Sequence, residues 1–142
     1  MKRVLVATFV VVSLLAFARP KPHSFSASGG HGWIRYWGTG KVVVSGEGTL
    51  TIRNISRMNM KMDGTWGEKQ WVTDGGVYKH FKGKVTLAGL GIHVEIRGWN
   101  LSVKGEGFGK AHCQGEGTYQ LEDEAPVQWK PHPFWVKVKF RR

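Results

Sequence analysis

His93 and Glu95 stand two residues apart in an alternating apolar run, and His112 follows in another. Imidazoles and a carboxylate on one wet face are the parts of a zinc site or of acid–base catalysis. Whether the three meet depends on a strand register that spacing alone does not fix, and solvated polar residues on a sheet face fit the same pattern. Met58, Met60 and Met62 bring to mind thioether ligands for copper. At strand spacing, three methionines on one side also read as deformable core. Cys113, the single cysteine, adjoins His112 on the opposite parity, so the two cannot share a metal. Beside Ala111 it reads as a buried, inert thiol. Glu47, Glu106 and Glu116 each occupy a Gly-Glu-Gly tripeptide and read as hydrophilic turn residues. The chain has no G-x-S-x-G, H-E-x-x-H, P-loop or dinucleotide fingerprint. The expectation is therefore a binding protein without catalytic residues, metal ligands or cofactor, with enzymatic activity a minority reading.

Binding chemistry is better represented. Seven tryptophans accompany 21 Lys and Arg against 10 Asp and Glu, a formal charge of +11. Exposed indoles offer stacking platforms for sugar rings, and lysines on wet strand faces attract polyanions. The candidate binding residues are Trp66, Trp71, Trp99 and Trp135 with Lys104, Lys110, Lys137 and Lys139. The partners this chemistry suits are an anionic polysaccharide, lipopolysaccharide or a membrane surface, without specific nucleic-acid binding.

These residues need a scaffold, and the spacing names one. Between residues 84 and 121 apolar side chains recur at every second position: Val85 and Leu87, then Ile92, Val94 and Ile96, then Leu101 and Val103, then Ala111 and Cys113, then Tyr119 and Leu121. Strand side chains alternate between faces, so this is the pattern of a sheet with one dry face and one wet one, which favours antiparallel pairing. Glycines end each run, and the recurring Gly-Glu-Gly reads as strand, turn, strand. Residues 41–45 and 49–53 form the first such hairpin, with Val42, Val44, Leu50 and Ile52 facing inward. The fold expected is all-β, an antiparallel hairpin-built sandwich or small barrel of about nine to eleven short strands. A right-handed β-helix is the alternative, with glycine-bounded strands as its rungs.

The chain begins with Lys2 and Arg3, an apolar run over residues 4–17 and the small-x-small site Ala16-Phe17-Ala18, the order of a secretory signal peptide. At 14 residues the run is shorter than the ~20 a membrane-spanning helix needs. Removal of residues 1–18 leaves 19 basic against 10 acidic side chains, or +9. The domain reading is 1–18 signal peptide, 19–40 a flexible Pro-, Ser- and Gly-rich leader carrying Trp33, Ile34, Tyr36 and Trp37, and 41–142 one all-β domain. The aromatics of that leader are read as starting a strand or docking on a sheet edge. Export places the protein in the periplasm, at the cell surface or outside the cell.

Residues 83–120 carry glycine-bounded strands, and Gly107, Gly109, Ala111, Gly115, Gly117 and Tyr119 follow the order G-x-G-x-A-x-L-x-G-x-G-x-Y, with Cys113 in the leucine place. In this the chain resembles glycine-rich, all-β small exported bacterial proteins of unknown function. The resemblance implies export and an all-β fold, and no activity. The function expected is that of a non-enzymatic envelope protein associating with anionic polymer or glycan through a basic, Trp-containing face. The alternatives are a structural or adhesive self-associating subunit built on residues 134–140 or the aromatic leader, a small outer-membrane barrel, and an envelope-polymer hydrolase using His93, Glu95 or His112.

Overall fold

The computed structural model describes residues 23–122 and 124–138. Residues 1–18, read above as a signal peptide, residues 19–22 of the expected leader, and Lys139 lie outside the described residues. Six strands, β1 (His23–Arg53), β2 (Met58–Thr65), β3 (Glu68–Val72), β4 (Gly75–Leu121), β5 (Val127–Gln128) and β6 (Phe134–Val138), form one antiparallel sheet. The only helical element among the described residues is a 3-10 turn, Ile55–Arg57. Asn54 and Asp74 turn the chain around it with φ of 60° and 50°. Ser56 donates from its backbone N and its Oγ to the Asp74 carboxylate, at 3.1 and 2.8 Å.

The all-β expectation holds, but the strands are fewer and far longer than the short ones expected. β1 runs through 31 residues and β4 through 47 without a hairpin. The proposed hairpin at residues 41–53 is instead a bend inside β1, and so is Gly-Glu-Gly at 105–107 inside β4. The reason is close approach. Gly48, at φ 144°, lies against Gly98, and a Cβ on Gly48 would sit 2.0 Å from the Arg97 carbonyl oxygen. A sharp bend brings neighbouring backbones too close for side chains, so glycine is needed there as it would be in a turn. Residues 23–40, expected to be a flexible leader, belong to β1 and include the buried Phe25, Ala27, Ile34 and Tyr36. Every strand pairing among the described residues is antiparallel, unlike the parallel rungs of a β-helix.

β1 meets β4 along both of its edges. Val94 lies between Tyr36 and Ile52, 16 residues apart in β1, and Val44 lies between Val85 and Val103. One strand can flank the same neighbour twice only if the two-stranded ribbon coils back on itself. The inner side of the coil is the core, which is why a single sheet without covering helices holds Val42, Val44, Leu50, Ile52, Val85, Leu87, Ile96 and Cys113 at 0% exposure. Burying each of the larger of these stabilises the fold by roughly 1.5–3 kcal/mol relative to exposure. No polar or charged residue is buried among those described. Met58 and Met62 pack partly against this core, while Met60 is exposed. Trp129 closes one end over Gly29 and Gly117, whose missing side chains make room for its indole. Among the described residues no helix is long and apolar enough to cross a membrane.

Candidate functional site

The coil turns its polar residues outward, and on one side they form a regular lattice. A line drawn across the strands passes from Thr51 to Glu95, Arg35, His112 and Trp135, each paired with the next. Two residues along, on one side, lie Thr49, Arg97, Trp33 and Gln114. On the other lie Arg53, His93, Trp37, Lys110 and Lys137. Strand alternation puts all three rows on the same face, and antiparallel pairing sets neighbouring side chains within reach.

The aromatic members touch one another in sequence. Trp33 meets His112 edge-on at 4.9 Å between ring centroids, His112 stacks on Trp135 at 4.1 Å, Trp135 stacks on Trp37 at 5.5 Å, and Trp37 lies 5.0 Å from His93. Cations stand over these rings. Arg35 is 5.5 Å from the Trp33 centroid and 5.6 Å from that of Trp37, while Lys110 Nζ is 5.0 Å from Trp135 and 5.5 Å from Trp37. At such distances a cation is held by the ring quadrupole.

Glu95 is the one carboxylate of the lattice, and both of its oxygens are engaged. Arg35 approaches Oε2 through Nε and Nη2, each at 2.7 Å, and Arg97 approaches Oε1 at 3.2 and 3.1 Å. Trp33 Nε1 donates to Gln114 Oε1 at 3.1 Å, and Gln114 Nε2 in turn donates to the Pro131 carbonyl at 2.9 Å. These contacts fix the indoles and guanidiniums in place before any ligand arrives.

Comparison with families, curated proteins and solved structures finds no match to this chain. The reading of the face rests on its own chemistry.

His93, Glu95 and His112 do share this face, with Arg35 interposed between Glu95 and His112. Among the described residues no group of three His, Cys, Asp or Glu side chains converges to hold a metal ion. The pKa of His93 is lowered from the usual 6.5 by burial first, then by Arg53 and Arg35, against the opposing pull of Glu95. That of His112 is lowered by burial and by Arg35. Glycosidic hydrolysis ordinarily requires two carboxylates with room to move protons, and the lattice offers one, clasped by two guanidiniums. What it supplies is a rigid aromatic surface edged by cations.

Of the eight residues singled out from the sequence, Lys139 lies outside the described residues and the other seven are divided by the fold. Trp135, Lys110 and Lys137 lie together on the lattice, with Lys110 and Lys137 paired in register. Trp99 sits at the adjoining bend against His31, 5.7 Å between centroids. Trp66 packs edge-on against Tyr78, and Trp71 lies exposed under Lys69 Nζ, 3.6 Å from its ring centroid. Lys104 is in a different part of the surface, near Ser26, Val43 and Gln120. Of the Gly-Glu-Gly carboxylates, Glu47 faces Lys82 at 3.4 Å. Trp33, Arg35 and Trp37 were the residues missed. Their alternation with Ile34 and Tyr36 carries the strand signal, within a stretch whose composition reads as leader.

Proposed function

We propose that this is a non-enzymatic exported protein that binds an acidic polysaccharide of a cell envelope through the outer face of Trp33, Trp37 and Trp135. The observation that carries the reading is the stacked Trp37–Trp135 pair with Lys110 beside both rings. Exposed indole faces accept the C–H faces of sugar rings, and a neighbouring ammonium accepts the carboxylate or sulfate of an acidic sugar. Trp135 is 51% exposed, so the platform is open to solvent. The lattice holds Arg35, Arg53, Arg97, Lys110 and Lys137 against Glu95 alone, a balance that favours a polyanion. The apolar start of the chain supports export.

The test is a binding titration of the purified protein with polygalacturonate and with a neutral polymer, cellulose oligomers, at low and high salt. Binding of the acidic polymer alone, weakened about tenfold or more as salt is raised, is the expected result. Trp135→Ala and Lys110→Ala should each weaken it. Equal binding of both polymers, or binding indifferent to salt, counts against the reading.

We further read the coil as flattened into two facing layers, the sandwich form rather than a round barrel. Its support is the rhythm of the bends in β1, marked by the close backbone approaches at Gly32, Gly40 and Gly48, each eight residues after the last. Two bends per circuit of 16 residues suit two flat sides.

A second reading, self-association by strand addition, draws on β6, which among the described residues pairs only with β4. Its alternate lysine, Lys137, opposes such pairing, and a monomer by light scattering at high concentration would remove the idea.

A further inference from the structure

Where the lattice reaches the bend of the sheet, Trp33 and Trp99 both line a groove of about 560 Å³. Its floor is bare backbone, because Gly32, Gly48 and Gly98 lie side by side across three passes of the ribbon. Each has φ between 143° and 150°, a conformation that keeps other residues out. Lys79 and Arg97 contribute to the walls, and among the described residues no acidic side chain does. His31 leans on Trp99 and lines the same space.

We infer that this groove is the seat for one acidic sugar residue of the bound glycan, gripped between Trp33 and Trp99 with its charge toward Lys79 and Arg97. The inference rests on the reading of the face above and deepens it. A flat floor with aromatic walls admits a pyranose ring edge-on, and its size falls within the range of small-ligand clefts, roughly 300–1,000 Å³. Charge complementarity selects the acidic sugar over the neutral one. Arg97 has Glu95 on one side and the Trp33 ring 5.4 Å away on another, so it is held in position as a partly neutralised donor, and Lys79 supplies the fuller charge. Trp33 and Arg97 belong to both groove and lattice, which makes the two continuous. From Trp37 to His31 is six strand residues, up to roughly 20 Å, so the ligand is an oligosaccharide of several rings with one of them in the groove. The charge is that of a carboxylate or a sulfate, since an ammonium accepts either.

The experiment titrates the purified protein with tetragalacturonate, a heparin-derived tetrasaccharide and cellotetraose by calorimetry, and follows backbone amides by NMR. At least one acidic tetrasaccharide should bind about tenfold or more tightly than the neutral one, and the stronger of the two acidic probes identifies the anion. The amides of Gly32, Gly48 and Gly98 should shift on binding. Trp99→Ala and Lys79→Ala, both at exposed positions away from Trp37 and Trp135, should each weaken the acidic tetrasaccharide about fivefold to tenfold while leaving the thermal midpoint unchanged. If polygalacturonate binds and responds to Trp135→Ala, but the glycine amides are still and Trp99→Ala and Lys79→Ala are silent, the groove is overturned and the face stands. If no acidic glycan of any length binds, the reading of the face fails and the groove goes with it.

Discussion

The imidazole of His112 lies flat on the indole of Trp135, ring centroids 4.1 Å apart and planes within 2° of parallel. This contact ties β4 to the edge strand β6 and sets the half-exposed indole of Trp135 at a fixed angle. It also joins a titratable ring to the fluorophore at the centre of the binding face. Burial and the charge of Arg35 favour neutral His112, whereas the π face of Trp135 favours the imidazolium. The former are expected to prevail, giving NMR titration midpoints below 6.5 for His112 and, through burial with Arg53 and Arg35, for His93. The sign follows for stability. A histidine whose folded pKa is depressed takes up its proton first in the unfolded chain. Its contribution is intact above 6.5 and is lost as pH falls toward the lower folded midpoint. Urea unfolding should therefore show the protein less stable at pH 5 than at pH 7.5, with the difference reduced in His93→Gln. Midpoints above 6.5 would overturn the assignment.

Glu95 is the clasp between β1 and the middle of β4, with one oxygen turned to Arg35 and the other to Arg97. Its side chain is 18% exposed and that of Arg35 34%, so solvent screens the cluster in part. Glu95→Gln leaves two guanidiniums facing each other without a counter-charge. A loss of about 1–2 kcal/mol in urea unfolding is expected, discounted from a fully buried pair for that screening. Arg97→Ala, on the more exposed side, should cost less than Arg35→Ala. Equal losses would mean that the two arms are not distinguished by burial.

The fold was legible where the period was unbroken. Val42, Val44, Leu50 and Ile52, and then Ile92, Val94 and Ile96, alternate cleanly with polar neighbours or small ones, and all seven are buried. The first part of β1 was hidden because its inward parity changes, from odd at Phe25 and Ala27 to even at Ile34 and Tyr36. Between Gly29 and His31 the register shifts by one residue against Gly117 and Glu116 but is kept against Leu101 and Trp99, where β4 changes its own inward parity in step, from Leu101 and Val103 to Ile96 and Val94. In sequence the bends read as hairpins because glycine serves both, and only the approach of a distant backbone separates the cases. The binding face was legible in kind but not in membership. Trp135, Lys110 and Lys137 could be named as exposed aromatic and basic residues, but Arg35 finds Glu95 60 residues away and Trp33 finds Gln114 81 residues away. Those meetings follow from how β1 winds against β4, which no local spacing encodes.

That winding makes the glycines unequal, and substitution can show it. A Cβ on Gly48 would lie 2.0 Å from the Arg97 carbonyl oxygen, at a φ of 144° that alanine rarely adopts. At Gly30 a Cβ would meet nothing within 4 Å. Gly48→Ala is expected to lower stability by at least ~2 kcal/mol, combining backbone strain with displacement of the neighbouring strand. Gly30→Ala should stay within about 0.5 kcal/mol of the parent. Thermal or urea unfolding of the two variants side by side tests whether the bends demand glycine for close packing. Comparable losses at both positions would mean that they do not.

Cys113 faces inward from β4 between Ile34 on β1 and Phe134 on β6, at 0% exposure. Burial pushes its thiol up to about 12, so almost no thiolate forms near neutral pH, and the thiolate is the reactive form. The native protein should resist modification by a thiol-reactive disulfide reagent at pH 8 for as long as the fold persists. It should react stoichiometrically once unfolded in urea. The rate in intermediate urea then reports opening of the sheet between β4 and β6, the edge that carries Trp135. Binding of an acidic glycan to the outer face should slow that reaction, because a ligand bridging Trp37 on β1 and Trp135 on β6 stabilises the closed sheet by mass action. Prompt labelling of the native protein would show instead that this edge opens readily and that the platform on it is not rigid.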